Sequence, residues 1–291
     1  MEVKVIGGLP DDTIIWRYMS IDKFINLLED SSLFFSPLSY YEKTDPFEGY
    51  PPPKMIEMLY SVQDSFYEKM QENIDYFDAH AQSQSHNHDF INRLQELKKQ
   101  LSMRSLEFRK RYTVVTKGTL VNCWHASPYE SEAMWKLYGE SHKGLAIRTT
   151  VGKLRKALEG ADSLSWVSKM FVGRVKYLDY ADPAITAKDC LVDGFMSPLL
   201  KRISFAHEKE VRAFFVSGVS YKTLDEFKPA PYEMKINVAR MLDGVHISPY
   251  VDVSYGKAIR AVYRAYGLDC ELVESSLLMS EAALYGFLNK T

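Results

Sequence analysis

The apolar residues of this chain change period again and again, which no fold built from one repeating unit accommodates. TIIWRYM (13–19) alternates with period two, SIDKFINLLED (20–30) places Ile21, Phe24, Ile25 and Leu28 at i, i+3, i+4 and i+7, and LFFS (33–36) returns to period two. These runs predict a strand, a helix with Ser20 as N-cap, and a second strand. Further strands are predicted over VNCWH (121–125), KGLAIRT (143–149), MFVGRVKYL (170–178), HEKEVRAFF (207–215), MKINV (234–238) and GVHISP (244–249), with a helix over TVGKLRKAL (150–158). Another helix is predicted to run to Gly139, with Ser127 as N-cap, Pro128 at its first position and Glu130 completing a capping box. Strands and helices mix without a regular βαβ alternation, so the expected class is α+β, with mixed or antiparallel sheets and flanking helices.

After the Pro/Gly-rich stretch DPFEGYPPP (45–53), residues 54–110 read as a helical hairpin broken near AHAQSQSHNHD (79–89). That block is expected to be an insertion into a single domain spanning residues 1–291, and no internal repeat is present. A net charge of −2 excludes an overall basic field that would advertise nucleic acid or a membrane. Cys123, Cys190 and Cys270 are odd in number, widely spaced and in no CxxC pair, as expected of reduced thiols in a cytoplasmic protein. The first residues, MEVKVIGGLPDD, carry no apolar signal core, and no run of about eighteen apolar residues follows.

The residues with chemistry to offer fall in a few places. In HEKEVRAFF, alternation sends Val211, Ala213 and Phe215 to one face and Glu208, Glu210 and Arg212 to the other. Paired carboxylates on one face are either the watered side of a half-buried strand or a reactive pair, and the sequence leaves both readings open. Arg17 shares a face with the apolar Ile15 and Met19, and a guanidinium placed there demands an anion, either an acidic side chain or a phosphate held by its fork. Cys123 and His125 share a strand face, which leaves a thiolate–imidazole hydrolase as an alternative to two core side chains. His80, His86 and His88 with Asp89 lie in a Gln/Ser/Asn-rich linker, so no metal site is assigned to them. There is no GxGxxG, P-loop or GxSxG motif.

WRYMSIDKFINLLEDSSLFFSP, DPFEG, NCWHASPYESEAMWKLY, SFAHEKEVRAFF and IRAVYRAYGLDCELVESSL, in that order over most of the chain, resemble a bacterial domain-of-unknown-function family. The opening unit and the late glutamate strand are in turn similar to ADP-ribosyltransferases, especially DNA-modifying toxins, which implies a toxin or phage-defence setting. The resemblance implies that Arg17 holds NAD, that Ser36 of FFSP orients the ribose or the glutamate, and that Glu210 is the catalytic carboxylate. Glu208 stands where the arginine-modifying branch has the first glutamate of an E-x-E pair. Tyr18, Phe47 and Trp124 are the aromatics that would stack on nicotinamide. The implied activity is NAD-dependent transfer of ADP-ribose to a protein or nucleic-acid acceptor, with no membrane partner. The alternatives are a nucleotide- or partner-binding module without turnover and, more weakly, the Cys-His hydrolase. Arg17, Ser36 and Glu210 are then expected around one concave pocket.

Overall fold

A computed structural model of the chain describes residues 1–80, 87–139, 143–161, 167, 169–218, 224, 226–279 and 285. It has the expected α+β class: a mixed sheet with helices packed against it. The strands are β1 (Glu2–Ile6), β2 (Ile14–Ser20), β3 (Ser32–Pro37), β4 (Thr119–Ala126), β5 (Gly144–Thr150), β6 (Lys169–Arg174), β7 (Lys176–Leu178), β8 (Leu200–Arg202), β9 (Glu210–Val216), β10 (Tyr232–Lys235), β11 (Gly244–Ile247) and β12 (Glu271–Glu274). Their order across the main sheet is β1-β6-β9-β4-β2-β5-β11-β12, with β3 on β4 and β10 on β3, while β7 and β8 pair apart. Among the described residues only β1–β6, β11–β12 and β7–β8 are parallel pairs; the centre is antiparallel.

The helices are α1 (Ile21–Glu29), α2 (Pro53–Ser61), α3 (Asp64–His80), α4 (His88–Gly118), α5 (Glu132–Tyr138), α6 (Val151–Glu159), α7 (Val238–Met241) and α8 (Val253–Ala265). The main core forms where α1, α6 and α8 bury Phe24, Leu154 and Ile259 against Ile15, Trp124, Val211, Ala213 and Phe215 of the sheet. Val211, Ala213 and Phe215 are fully buried, as period two predicts. Among the described residues no helix is long and apolar enough to cross a membrane.

Several expectations need correction. The helical block does not stop at residue 110: α4 runs to Gly118 and feeds directly into β4, so its last turns pack on β3 and β4. The helix predicted from Ser127 begins only at Glu132. Ser131 is its N-cap, with a hydroxyl that accepts from Met134 N, whereas Ser127 accepts from Tyr129 N in a turn. Residues 170–178 form two strands, broken where Val175 N donates to the Glu210 carbonyl. MKINV is strand only to Lys235, because Asn237 caps α7. Nor does HEKEVRAFF enter its strand at His207. Ile203–Glu208 is a 3-10 turn, Lys209 is left-handed at φ 43°, and β9 starts at Glu210.

Candidate active site

β4 has two partners along one edge and none in between. At one end Trp16 pairs with His125 and Ile15 with Ala126; at the other Ser36 pairs with Val121 and Pro37 with Leu120. Both β2 and β3 run antiparallel to β4, and α1 carries the chain from one to the other, so the sheet splits opposite Asn122, Cys123 and Trp124. The Asn122 side chain partly bridges this split by donating to the Phe34 carbonyl at 2.9 Å while accepting from Trp124 Nε1 at 2.6 Å. A cavity of about 860 Å³ opens there.

Arg17, Tyr18, Ser36, Trp124, Glu208 and Glu210 all line this cavity, so the fold brings together six of the seven residues that the resemblance implies. Phe47 does not line it. Its ring lies outside, edge-on to Tyr180 and under the Arg202 guanidinium, whose Cζ is 5.0 Å from the ring centre. The aromatic neighbour of Arg17 is Trp124, with Cζ 5.9 Å from the ring centre. No carboxylate pairs with Arg17 among the described residues; the titratable groups that act on it are Cys123 and Tyr41. The half-buried guanidinium thus lies at the split without the acidic partner that a structural ion pair would supply, and burial lowers its pKa.

The polar face of β9 is not watered. Glu210 and Arg212 are buried, and Arg212 Nη2 donates to Glu210 Oε2 at 2.8 Å. Lys201 of β8 lies 2.5 Å from Glu208, 3.5 Å from Glu210 and 3.4 Å from Glu48, and Arg212 also meets Glu48 at 2.8 Å. Burial opposes ionisation of Glu210, but Arg212 and Lys201 outweigh it and hold the carboxyl down at about 2. The same carboxylates raise Lys201 and Arg212 against the pull of burial. Although off the strand, Glu208 turns back to the same point, accepting from Lys201 through Oε2 and from the Tyr138 hydroxyl at 2.9 Å through Oε1. The Tyr177 hydroxyl accepts from Glu210 N at 2.8 Å.

Ser36 bonds to Tyr41, whose hydroxyl is pushed up by burial and by its proximity to Cys123 and Glu210. Burial and Glu210 raise the Cys123 thiol well above its ordinary value, and the thiol donates to Glu210 rather than pairing with His125. The thiolate–imidazole arrangement is therefore absent at this pair. His80 Nδ1 donates to the Tyr76 carbonyl, His86 lies outside the described residues, and no group of metal-ligating side chains is found among those described.

Glu48, Lys201, Arg212 and Tyr138 went unassigned in the sequence. Glu48 belongs to an irregular loop and Lys201 to a three-residue strand, where no periodicity points a side chain. The available signal was the pair of acids in DPFEG, whose Asp45 and Glu48 are both buried and ion-paired, Asp45 to Arg202 at 2.6 Å. No family model, curated protein or solved structure matches the chain, and the function has to be read from the cleft's own residues.

Proposed function

We propose that the cleft binds NAD and that the chain is an ADP-ribosyltransferase-like α+β protein that transfers ADP-ribose to a protein or nucleic-acid acceptor. The observation that carries this reading is Arg17: a guanidinium with no carboxylate partner among the described residues, set beside Trp124 at the split, with Ser36 across the gap and an ionised Glu210 lining the same cavity. A pyrophosphate supplies the anion that the fork lacks. Trp124 and Tyr18 offer apolar ring surface to nicotinamide, and Tyr18 is fixed by accepting from Ser131 N at 2.7 Å. When the bond between nicotinamide and the ribose breaks, positive charge develops on the sugar, and a carboxylate kept ionised stabilises it.

Nicotinamide release from NAD tests this. Glu210→Gln retains size and much hydrogen bonding but removes the charge. It is expected to lower turnover about 100-fold, a loss of about 3 kcal/mol of transition-state stabilisation, with little change in NAD affinity. Arg17→Lys is expected to do the reverse, because a point ammonium cannot reproduce the fork. Unchanged turnover in a folded Glu210→Gln protein would sink the reading.

The grip of two cations on Glu210 favours a second reading, in which the cleft binds nucleotide without turning it over, because a neutralised carboxylate stabilises a cationic sugar less. NAD affinity in the parent without nicotinamide release would establish that one.

A further inference from the structure

His125 lies directly across from Glu210 in the β4–β9 register, so their side chains share a sheet face, and both line the cleft. Its Nδ1 is 2.6 Å from the Glu208 carbonyl, an atom that can only accept, so Nδ1 carries the proton and Nε2 keeps a free lone pair. Nε2 has no protein partner among the described residues. The Tyr18 ring stands edge-on at 6.2 Å and limits the imidazole on its other side. Glu208, by contrast, has both oxygens occupied, by Lys201 and by the Tyr138 hydroxyl. An acceptor guanidinium docking there would have to displace an ammonium.

We propose that His125 is the general base that deprotonates the acceptor, and that the acceptor is a neutral protic group, a hydroxyl or a ring N–H, rather than a guanidinium. This rests on the NAD-cleaving reading above. In the step, the carbon–nitrogen bond between ribose C1′ and nicotinamide breaks and its electron pair leaves with the nicotinamide ring. The acceptor lone pair forms the new bond to C1′, and the acceptor proton passes to His125 Nε2 and then to solvent. The titratable and charged groups around the ring are His207, Glu208 and Lys209 of the turn, Glu210 of β9, Tyr18 of β2 and, through Glu208, Tyr138 of α5. Burial, with the charges of Lys209 and His207, outweighs the carbonyl bond and the Glu208 carboxylate and keeps the imidazole below its ordinary value, so the ring is neutral at neutral pH and its Nε2 lone pair is available.

The test uses the full chain with NAD, and with water, methanol, agmatine or azide as the nucleophile, reading nicotinamide release and the mass of the ADP-ribosyl product. The parent is expected to hydrolyse NAD and to form the methyl product but no agmatine adduct, and to slow on acidification with a midpoint below about 6.5. His125→Asn keeps a donor for the Glu208 carbonyl. It should retain NAD affinity, lose hydrolysis about 100-fold and lose the acid limb. Azide, which has no proton to remove, should restore its turnover. Undiminished hydrolysis in His125→Asn, or azide that fails to rescue a variant still binding NAD, overturns the role of His125. If that variant does not fold, the parent decides, since a profile without the acid limb overturns the role too. An agmatine adduct overturns the neutral acceptor, and a parent that releases no nicotinamide removes the underlying reading together with this one.

Discussion

A carboxylate with a guanidinium at 2.8 Å and an ammonium at 3.5 Å links the candidate chemistry to stability, because Glu210 is both cleft wall and part of a buried ion cluster. Glu48, Glu208 and Glu210 face Lys201 and Arg212, leaving one carboxylate more than there are cations. Removing either cation from such a cluster leaves buried carboxylates uncompensated. The ordinary glutamate value is 4.5 and Glu210 is held at about 2, so the unfolded chain takes up this proton first as the pH falls. The stability contributed by the ionised group is therefore fully present above the unfolded value and is lost as the pH drops towards the folded one. The loss is on the order of 3 kcal/mol for this group alone. Urea midpoints measured between roughly pH 6 and pH 2 should show that decline in the parent. Glu210→Gln should start lower at neutral pH, because Arg212 and Lys201 lose an anion, and should then decline less steeply. Parallel slopes for the two proteins would show that Glu210 titrates normally in the fold.

Local pattern decided an element wherever nothing distant competed with it. β2, α1, β3, β5 and α6 all fall within a residue or two of their predicted spans, because an apolar stripe or an alternating face has one way to reach the core. α5 shows what overrides this. The SPYES segment has the sequence of a helix start, yet Trp16 Nε1 donates to the Ser127 carbonyl, Ser131 N donates to the Tyr18 hydroxyl, and Trp135 Nε1 donates to Glu130 Oε2. Those bonds hold residues 127–131 as a turn and move the cap from Ser127 to Ser131. Ser131→Ala should therefore cost about 1 kcal/mol in unfolding free energy, and Ser127→Ala a smaller amount. The opposite ranking in denaturant midpoints would restore the earlier start. β9 was shortened for a similar reason: left-handed Lys209 breaks the run, and its carbonyl accepts from Ala126 N at 2.9 Å to tie the turn to β4.

At the scale of the whole molecule, the cleft was legible from one side only. Arg17, Tyr18, Ser36 and Trp124 lie on strands that border the split and Glu210 on β9 just behind β4, where alternation fixes the direction of each side chain. Lys201 and Glu48 reach the same place from irregular chain, and only the folded topology sets them opposite β9. The helical block divides along the same line. Its outer part is self-contained, since Met70, Ile74 and Leu94 bury one another with help from Tyr67, Phe77, Leu97 and Leu101. Its inner part is not: Met55 of α2 packs with Ile185, Cys190 and Leu200, the residue next to Lys201, and the buried Thr116 of α4 stands against Gly49. Arg104 marks the boundary, its Cζ 4.1 Å from the Tyr60 ring centre and 4.3 Å from that of Tyr67, with Asp64 as its ion-pair partner. Deleting residues 68–100 and joining Tyr67 to Leu101 through a short Gly/Ser turn should therefore leave a chain that unfolds cooperatively and keeps the proposed NAD affinity. Deleting 54–110 also removes Met55 and Arg104. Losing a buried Met side chain alone costs about 2–5 kcal/mol, and the cavity it leaves would lie directly behind the strand that holds Lys201. That longer deletion should lose cooperative unfolding and the proposed nucleotide binding together, as read by thermal melts and by calorimetry with NAD. A longer deletion that folds and binds as well as the shorter one would make the whole helical block an ornament on the sheet.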